Sequence, residues 1–141
     1  MKIRRSRFLA LAVCTVLLIS CAQRSEDESR LQVNDPPRTL KVTYFEFNDF
    51  DVAVQKNETY LVMVKHISSN YDQYGVLAAS TLIMDQDEEV IAMTLPSDKG
   101  DVELEFVAPY DGDVIIYISP PSPADDNFVG EFTLQIVSVE D

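Results

Sequence analysis

Several residue types that support common kinds of chemistry are scarce in this chain. It has no tryptophan, two cysteines, four glycines and a single histidine, His66. One histidine cannot build a zinc site that needs several, and no Gly-x-Ser-x-Gly elbow accompanies it for serine catalysis. The absence of tryptophan disfavours a sugar-binding platform, which commonly stacks on aromatic rings. We therefore expect His66 to lie near a strand end without a catalytic role.

Basic residues are also few, with 11 Lys and Arg against 24 Asp and Glu. Four of the basic residues stand in the first 20 positions, so residues 21–141 carry 7 − 24 = −17 charges. Such a field repels phosphate backbones and anionic headgroups. Nucleic-acid binding and electrostatic docking on a membrane are therefore not expected, whereas cations and basic proteins are suitable partners.

Long hydrophobic runs are limited to one N-terminal segment. Phe8 to Ile19 is almost entirely apolar and follows a basic stretch that contains Lys2, Arg4, Arg5 and Arg7. The run has about twelve residues, whereas a transmembrane helix needs roughly 20. This pattern predicts a signal peptide over residues 1–20 that is removed on export.

The end of that segment, Leu18-Ile19-Ser20-Cys21, resembles the lipobox of bacterial lipoproteins. The resemblance implies cleavage after Ser20 and a diacylglycerol on Cys21, with further acylation, such as palmitate, on its amino group. An ordinary signal peptide that happens to contain a cysteine is the alternative. Cys14 is discarded in either case, so no intramolecular disulfide can form, and a lipidated Cys21 leaves no thiol for catalysis.

The lipoprotein resemblance also implies a location. A protein with this signal is anchored in the cell envelope by its acyl chains, without crossing the membrane. Ala22 after the cysteine implies the outer membrane in a cell that has two membranes.

Residues 21–38 are predicted to be a flexible tether behind the lipidated cysteine. Their composition is polar, with Leu31 and Val33 as the larger apolar residues, so burial cannot offset the entropy of ordering. A short helix over Ser25 to Val33 is the alternative, which Pro36 would end. The folded domain is expected over residues 39–141.

From Leu40 onwards, short runs rich in Val, Ile, Thr, Phe and Tyr alternate with turn residues, which predicts an all-β domain. Three apolar residues, Val102, Leu104 and Phe106, alternate with two glutamates and should face a core. Short connections favour antiparallel pairing, and about eight strands favour a two-sheet sandwich. The candidate strands are Leu40 to Phe47, Phe50 to Val54, Thr59 to His66, Ser80 to Met84, Val90 to Thr94, Asp101 to Val107, Val114 to Ser119 and Gly130 to Val139.

The stretch from Phe106 to Ile118, with Ala108-Pro109 and Gly112 between two strands, resembles the bacterial pre-peptidase C-terminal domain. Similar pieces lie in order around it, and together they cover most of residues 40–139. The chain departs from that family where Glu88 and Glu89 replace the usual glycine, and where Tyr117 alone remains of an aromatic pair. The resemblance implies a jelly-roll-like sandwich that serves as a non-catalytic accessory domain.

Two acidic turns are candidate calcium ligands, because calcium takes six to eight oxygen ligands from flexible loops. Their spacing does not fit an EF-hand, and solvated turn carboxylates are the alternative interpretation. The acids concerned are Asp85, Asp87, Glu88 and Glu89 in one turn, and Asp111 and Asp113 in the other.

The run Val114 to Ile118 is apolar on both faces, so only one face can meet the core. The second face, which includes Ile115 and Tyr117 if the alternation runs that way, is covered either by the chain's own loop over residues 70–79 or by another protein.

These observations predict a non-enzymatic, lipid-anchored envelope protein without a cofactor. Its acidic sandwich would act as a binding or accessory domain for another envelope protein. The alternative is a calcium-assisted carbohydrate-binding module at the cell surface, and a hydrolase that uses paired carboxylates is a third hypothesis.

Overall fold

A computed structural model gives the fold and describes residues 28–46, 48–70, 78–94, 100–121 and 124–140. The chain divides into two units, Met1–Arg30 and Leu31–Asp141. The sandwich described below belongs to the second unit.

Nine strands form two sheets over the described residues, which confirms the predicted all-β sandwich. One sheet has five strands in the order β1-β3-β8-β5-β6, and the other has four in the order β2-β9-β4-β7. The strands are β1 (Arg30–Leu31), β2 (Arg38–Thr43), β3 (Asn48–Val54), β4 (Thr59–Ser69), β5 (Ser80–Met84), β6 (Val90–Met93), β7 (Val102–Val107), β8 (Gly112–Ser119) and β9 (Val129–Val139).

The pairing of β2 to β9 is nested. The first strand of this set pairs with the last, β3 pairs with β8, and β4 pairs with β7, all antiparallel. The innermost pair is β5 with β6, and the pairs β4 with β9 and β5 with β8 complete the two sheets. A long antiparallel hairpin rolled into two sheets is a jelly roll, so the topology confirms the jelly-roll-like expectation.

Alternation of apolar and polar residues decides which face of each strand is buried. Phe106 in β7 and Phe132 in β9 are buried as predicted, while Glu103 between the apolar residues of β7 is exposed. The inward residues of both sheets form one core, whose most deeply buried large members are Phe128, Phe132, Ile83, Ile116, Ile118, Leu134 and Ile136.

The N-terminal boundary of the packed unit differs from the one we predicted. Leu31 lies in the core, although residues 21–38 were expected to be a tether. The backbone N–H of Asn34 donates to the carbonyl of Ile136 at 2.9 Å, and its side chain accepts from the Ser138 backbone at 3.0 Å. Leu31 and Asn34 therefore anchor the end of that segment on the sandwich, and residues 21–27 lie outside the described part.

The prediction of one strand over Leu40 to Phe47 was wrong at its C-terminal end. The strand β2 ends at Thr43, and a tight turn follows, closed by a bridge between Thr43 and Glu46. At this point the chain crosses from the four-stranded to the five-stranded sheet, so no neighbouring strand is present to continue the ladder. Tyr44 and Phe45 are consequently exposed turn residues, and Phe47 lies outside the described ranges.

The turn between β5 and β6 is the innermost connection of the roll. One carboxylate oxygen of Asp85 accepts the backbone N–H groups of Asp87 at 2.9 Å and Glu89 at 2.8 Å. The chain then reverses through Glu88, which has a φ of 63°. This left-handed conformation disfavours a side chain with a Cβ atom, and it is the region where the resembling family carries glycine.

Replacing Glu88 with Gly should stabilise the protein. Relief of the left-handed strain outweighs the entropy that glycine adds to the unfolded chain, for a net gain of about 0.5–1 kcal/mol. Thermal and urea unfolding of both proteins would measure the difference. Glu88→Ala is the matched control, because it removes the same charge and keeps the strain. An equal gain from Glu88→Ala would contradict the explanation.

A second glycine is required by close packing. A Cβ atom on Gly130 would lie 2.7 Å from the ring of Phe132 and 2.9 Å from the ring of Phe128, and both rings are buried. These rings cannot move without opening the core.

The substitution Gly130→Ala should therefore destabilise the sandwich by about 1–3 kcal/mol, as overpacked cores do. Chemical denaturation gives the free energy directly. Val129→Ala, at the adjacent exposed position, should change it by much less. If the two variants proved equally stable, the packing argument would be wrong.

Candidate binding surface

The predicted lipid-attachment residue, Cys21, lies outside the described ranges, so its acylation stays a prediction. Among the described residues, the structure contains no helix with the length and hydrophobicity needed to cross a bilayer.

The two acidic turns that the sequence singled out lie at the same end of the sandwich. The phenolic O–H of Tyr110 donates to the carbonyl of Asp113 at 2.9 Å, and its oxygen accepts the backbone N–H of Gln86 at 3.2 Å. The side chain of Gln86 also donates to the carbonyl of Asp113 at 3.0 Å. Tyr110 and Gln86 thus join the β5–β6 turn to the β7–β8 turn.

A third turn, between β3 and β4, is tied to the same end. A carboxylate oxygen of Asp111 accepts the backbone N–H of Lys56 at 2.8 Å. The backbone of Asn57 donates to the carbonyl of Ala108 at 2.9 Å, and Ala108 donates back to the carbonyl of Glu58 at 2.9 Å. We call this set of three linked turns, at residues 55–58, 85–89 and 108–113, the acidic end.

Two of the candidate calcium ligands accept hydrogen bonds from backbone N–H groups. A carboxylate oxygen of Asp85 accepts two of them within its own turn, and a carboxylate oxygen of Asp111 accepts one from the neighbouring turn. Within the ranges that the structure describes, no three acidic, histidine or cysteine side chains are grouped closely enough to hold a metal ion. Asp87, Glu88 and Asp111 are exposed, so the acidic end presents negative charge at the surface.

His66 lies near the end of β4, and its ring packs edge-on against Phe132 with centroids 5.4 Å apart. The carboxylate of Asp101 accepts the backbone N–H of His66 at 3.2 Å. The Asp101 carboxylate therefore stabilises the backbone of β4 at His66.

An apolar surface lies on the outer face of β5, β6 and β8 in the five-stranded sheet. The inward residues of β8 are Val114, Ile116 and Ile118, which turns Ile115 and Tyr117 outward. Six outward apolar side chains from β5, β6 and β8 form what we call the apolar stripe: Leu82, Met84, Val90, Met93, Ile115 and Tyr117.

Strand register places these six residues in two rows across the sheet. Leu82 is paired with Tyr117 on one side and with Met93 on the other. Met84 is paired in the same way with Ile115 and Val90. Cross-strand neighbours on one face lie within contact distance, so the stripe is continuous.

The exposure of the apolar stripe increases toward the sheet edge. Its members on β5 and β8 are half-buried, whereas Val90 is 54% and Met93 is 53% exposed on the edge strand β6. Of the loop expected to cover the second face of β8, residues 71–77 lie outside the described ranges.

Acidic residues border the apolar stripe on β3, which neighbours β8 on the side away from β6. Asp49 is the register partner of Tyr117, and Asp51 is the partner of Ile115. Asp113 lies next on β8, and the β5–β6 turn adds further carboxylates at the acidic end. Sequence reasoning identified the second face of β8 but missed the contributions of β5 and β6. The consecutive apolar residues Leu82-Ile83-Met84 were the available signal for β5.

Comparisons with known proteins support the fold. No family model matches the sequence, and no curated protein matches it. Among solved structures, the chain is similar to the pre-peptidase C-terminal domain of collagenase from Bacillus anthracis, with a TM-score of 0.53 and 14% identity, covering 77% of this chain and 92% of that one. It is also similar to PliG of Aeromonas hydrophila, a periplasmic inhibitor of g-type lysozyme, with a TM-score of 0.50 and 12% identity, covering 77% and 96%.

Proposed function

We propose that this protein is a non-catalytic lipoprotein of the bacterial cell envelope, anchored through Cys21, whose sandwich binds a basic envelope protein. The apolar stripe with its acidic border is the observation that carries the proposal. It offers an interface core and a charged rim on one rigid sheet, the arrangement that protein interfaces use.

The fold supports a binding role. Among its structural neighbours are the pre-peptidase C-terminal domain of a collagenase and a periplasmic inhibitor of g-type lysozyme. Both similarities concern the fold alone, and the proposed partner of this chain is argued from its own surface.

The chemistry of the apolar stripe indicates the kind of partner. Exposed aliphatic and aromatic side chains such as Met93 and Tyr117 fit a partner with one or two apolar anchors. Carboxylates on Asp49 and Asp51 suit Lys or Arg around those anchors, because complementary rims steer association and exclude wrong partners.

A second copy of the chain is a poor occupant of this surface. The 24 acids and seven bases of residues 21–141 give each copy −17 charges, which repel one another at short range. A cationic partner gains from the same field, and its association slows as salt shortens the screening length from about 10 Å at 0.1 M to about 3 Å at 1 M.

Substitution of Met93 by Lys should weaken partner binding by about tenfold or more, because a charge at an interface core replaces apolar contact. The partner would be isolated by crosslinking to the lipidated wild-type protein in envelopes and identified by mass spectrometry. Its affinity for wild type and variants would then be measured by calorimetry with purified proteins.

The matched control is Val107→Lys, which adds the same charge on the outer face of the other sheet at a site that is 56% exposed. This variant should bind as wild type does, and both variants should unfold as wild type does. If Val107→Lys abolished binding and Met93→Lys left it intact, the assignment of the interface to the apolar stripe would be wrong.

Replacement of Cys21 by Ser should release the protein from the membrane, because two or more acyl chains provide stable anchoring and none would remain. The variant would be exported behind an ordinary cleavable signal peptide in place of residues 1–20, and fractionation of the cells should find wild type with membranes and the variant among soluble proteins. Intact mass of the wild type should show an acylated Cys21 as the first residue. An unmodified first residue would refute lipid attachment, without bearing on the sandwich surface.

A further inference from the structure

The turn after β2 presents two aromatic side chains to solvent. Phe45 is 74% exposed and Tyr44 is 50% exposed, and their rings meet edge-on with centroids 5.4 Å apart. We call residues 43–46 the aromatic turn. Exposed apolar side chains that lie together mark contact sites more often than those scattered singly.

The aromatic turn lies at the end of the sandwich opposite the acidic end. It follows Thr43, which pairs with Val129 at the start of β9, whereas the acidic end follows Val54, which pairs with Gly112. The seven residues of β3 run between the two ends, a distance of roughly 23 Å at 3.3 Å per residue.

The length of chain before the sandwich sets how close this turn stays to a membrane. Leu31, the first core residue in the described part of the chain, lies ten positions after Cys21. Fully extended, this segment reaches at most roughly 36 Å. A lipid on Cys21 would therefore hold Leu31 within roughly 36 Å of the bilayer. This tethering raises the effective concentration of the aromatic turn at the membrane surface.

We infer that the aromatic turn inserts into the interfacial region of the bilayer that holds the lipid anchor, as a second point of membrane contact. This inference rests on the lipid attachment in the proposed function. An aromatic ring with one polar end, such as that of Tyr44, suits the headgroup level, and the Phe45 ring suits the acyl boundary below it.

The charges near the turn define the preferred lipid. Glu46 belongs to the turn itself, Asp49 follows shortly after it, and the exposed Lys41 before it is paired across the sheet with Glu131. The net charge near the turn is therefore negative and repels anionic headgroups, so insertion should favour zwitterionic lipid and decrease as anionic lipid is added. In this orientation the acidic end would point away from the membrane, which reduces the repulsion between its carboxylates and anionic headgroups.

The absence of tryptophan provides a direct test. Phe45→Trp gives the lipidated full-length protein a single fluorescent reporter in the aromatic turn. On phosphatidylethanolamine–phosphatidylcholine vesicles, its emission should shift to shorter wavelength and lose intensity when brominated lipid is included. Val107→Trp, at the opposite end and 56% exposed, should show neither effect.

Each outcome separates this inference from the lipid attachment. Vesicle-bound protein whose Phe45→Trp emission resembles that of Val107→Trp would overturn the insertion and leave the anchor intact. If the emission shifted only in native envelopes and brominated lipid in vesicles did not quench it, the turn would contact a protein partner. This result would also overturn the insertion. Quenching stronger in anionic than in zwitterionic vesicles would contradict the role of Glu46 and Asp49.

Discussion

The nested pairing of strands around the β5–β6 turn is the constraint on which the rest of the structure depends. Because side chains alternate across a strand, a slip of one residue in this innermost pair would turn Ile83 outward and its neighbours inward. The Asp85 carboxylate fixes the turn by holding two backbone N–H groups. The outer pairs, β4 with β7, β3 with β8 and β2 with β9, follow this innermost pair in nested order and bring together residues that lie far apart in the chain.

The sequence predicted the strands well because half-buried strands carry their own alternating signal, as β7 and β9 show. Pairing partners could not be predicted in the same way. The contact of Leu40 with Phe132 joins distant segments, and no local pattern encodes it. Aromatic residues misled the prediction at Tyr44 and Phe45, because side chains that favour strands also occur at exposed turns. For the candidate site, the acidic turns were evident from composition, whereas the apolar stripe depends on three strands becoming neighbours.

In the proposed interaction, the net charge and the apolar stripe would have separate effects on which partner can bind. An apolar stripe on a neutral protein would invite self-association, but the −17 charges of residues 21–141 oppose contact between copies while leaving the stripe available to a cation. The carboxylates of Asp49 and Asp51 lie beside the half-buried Tyr117 and Ile115, so electrostatic attraction and apolar contact would act together on the proposed partner.

The positions of the two surfaces also constrain the geometry of binding. The aromatic turn and the acidic end terminate the same strands, so contact of the turn with a bilayer would set the strands at a steep angle to the membrane. The apolar stripe runs along β8 between these ends, from Tyr117 toward Ile115. In that orientation the stripe would face sideways, toward a neighbouring protein in the same membrane. A short lipid tether and an aromatic contact would together hold that face in a fixed orientation, which lowers the entropy lost when the partner docks.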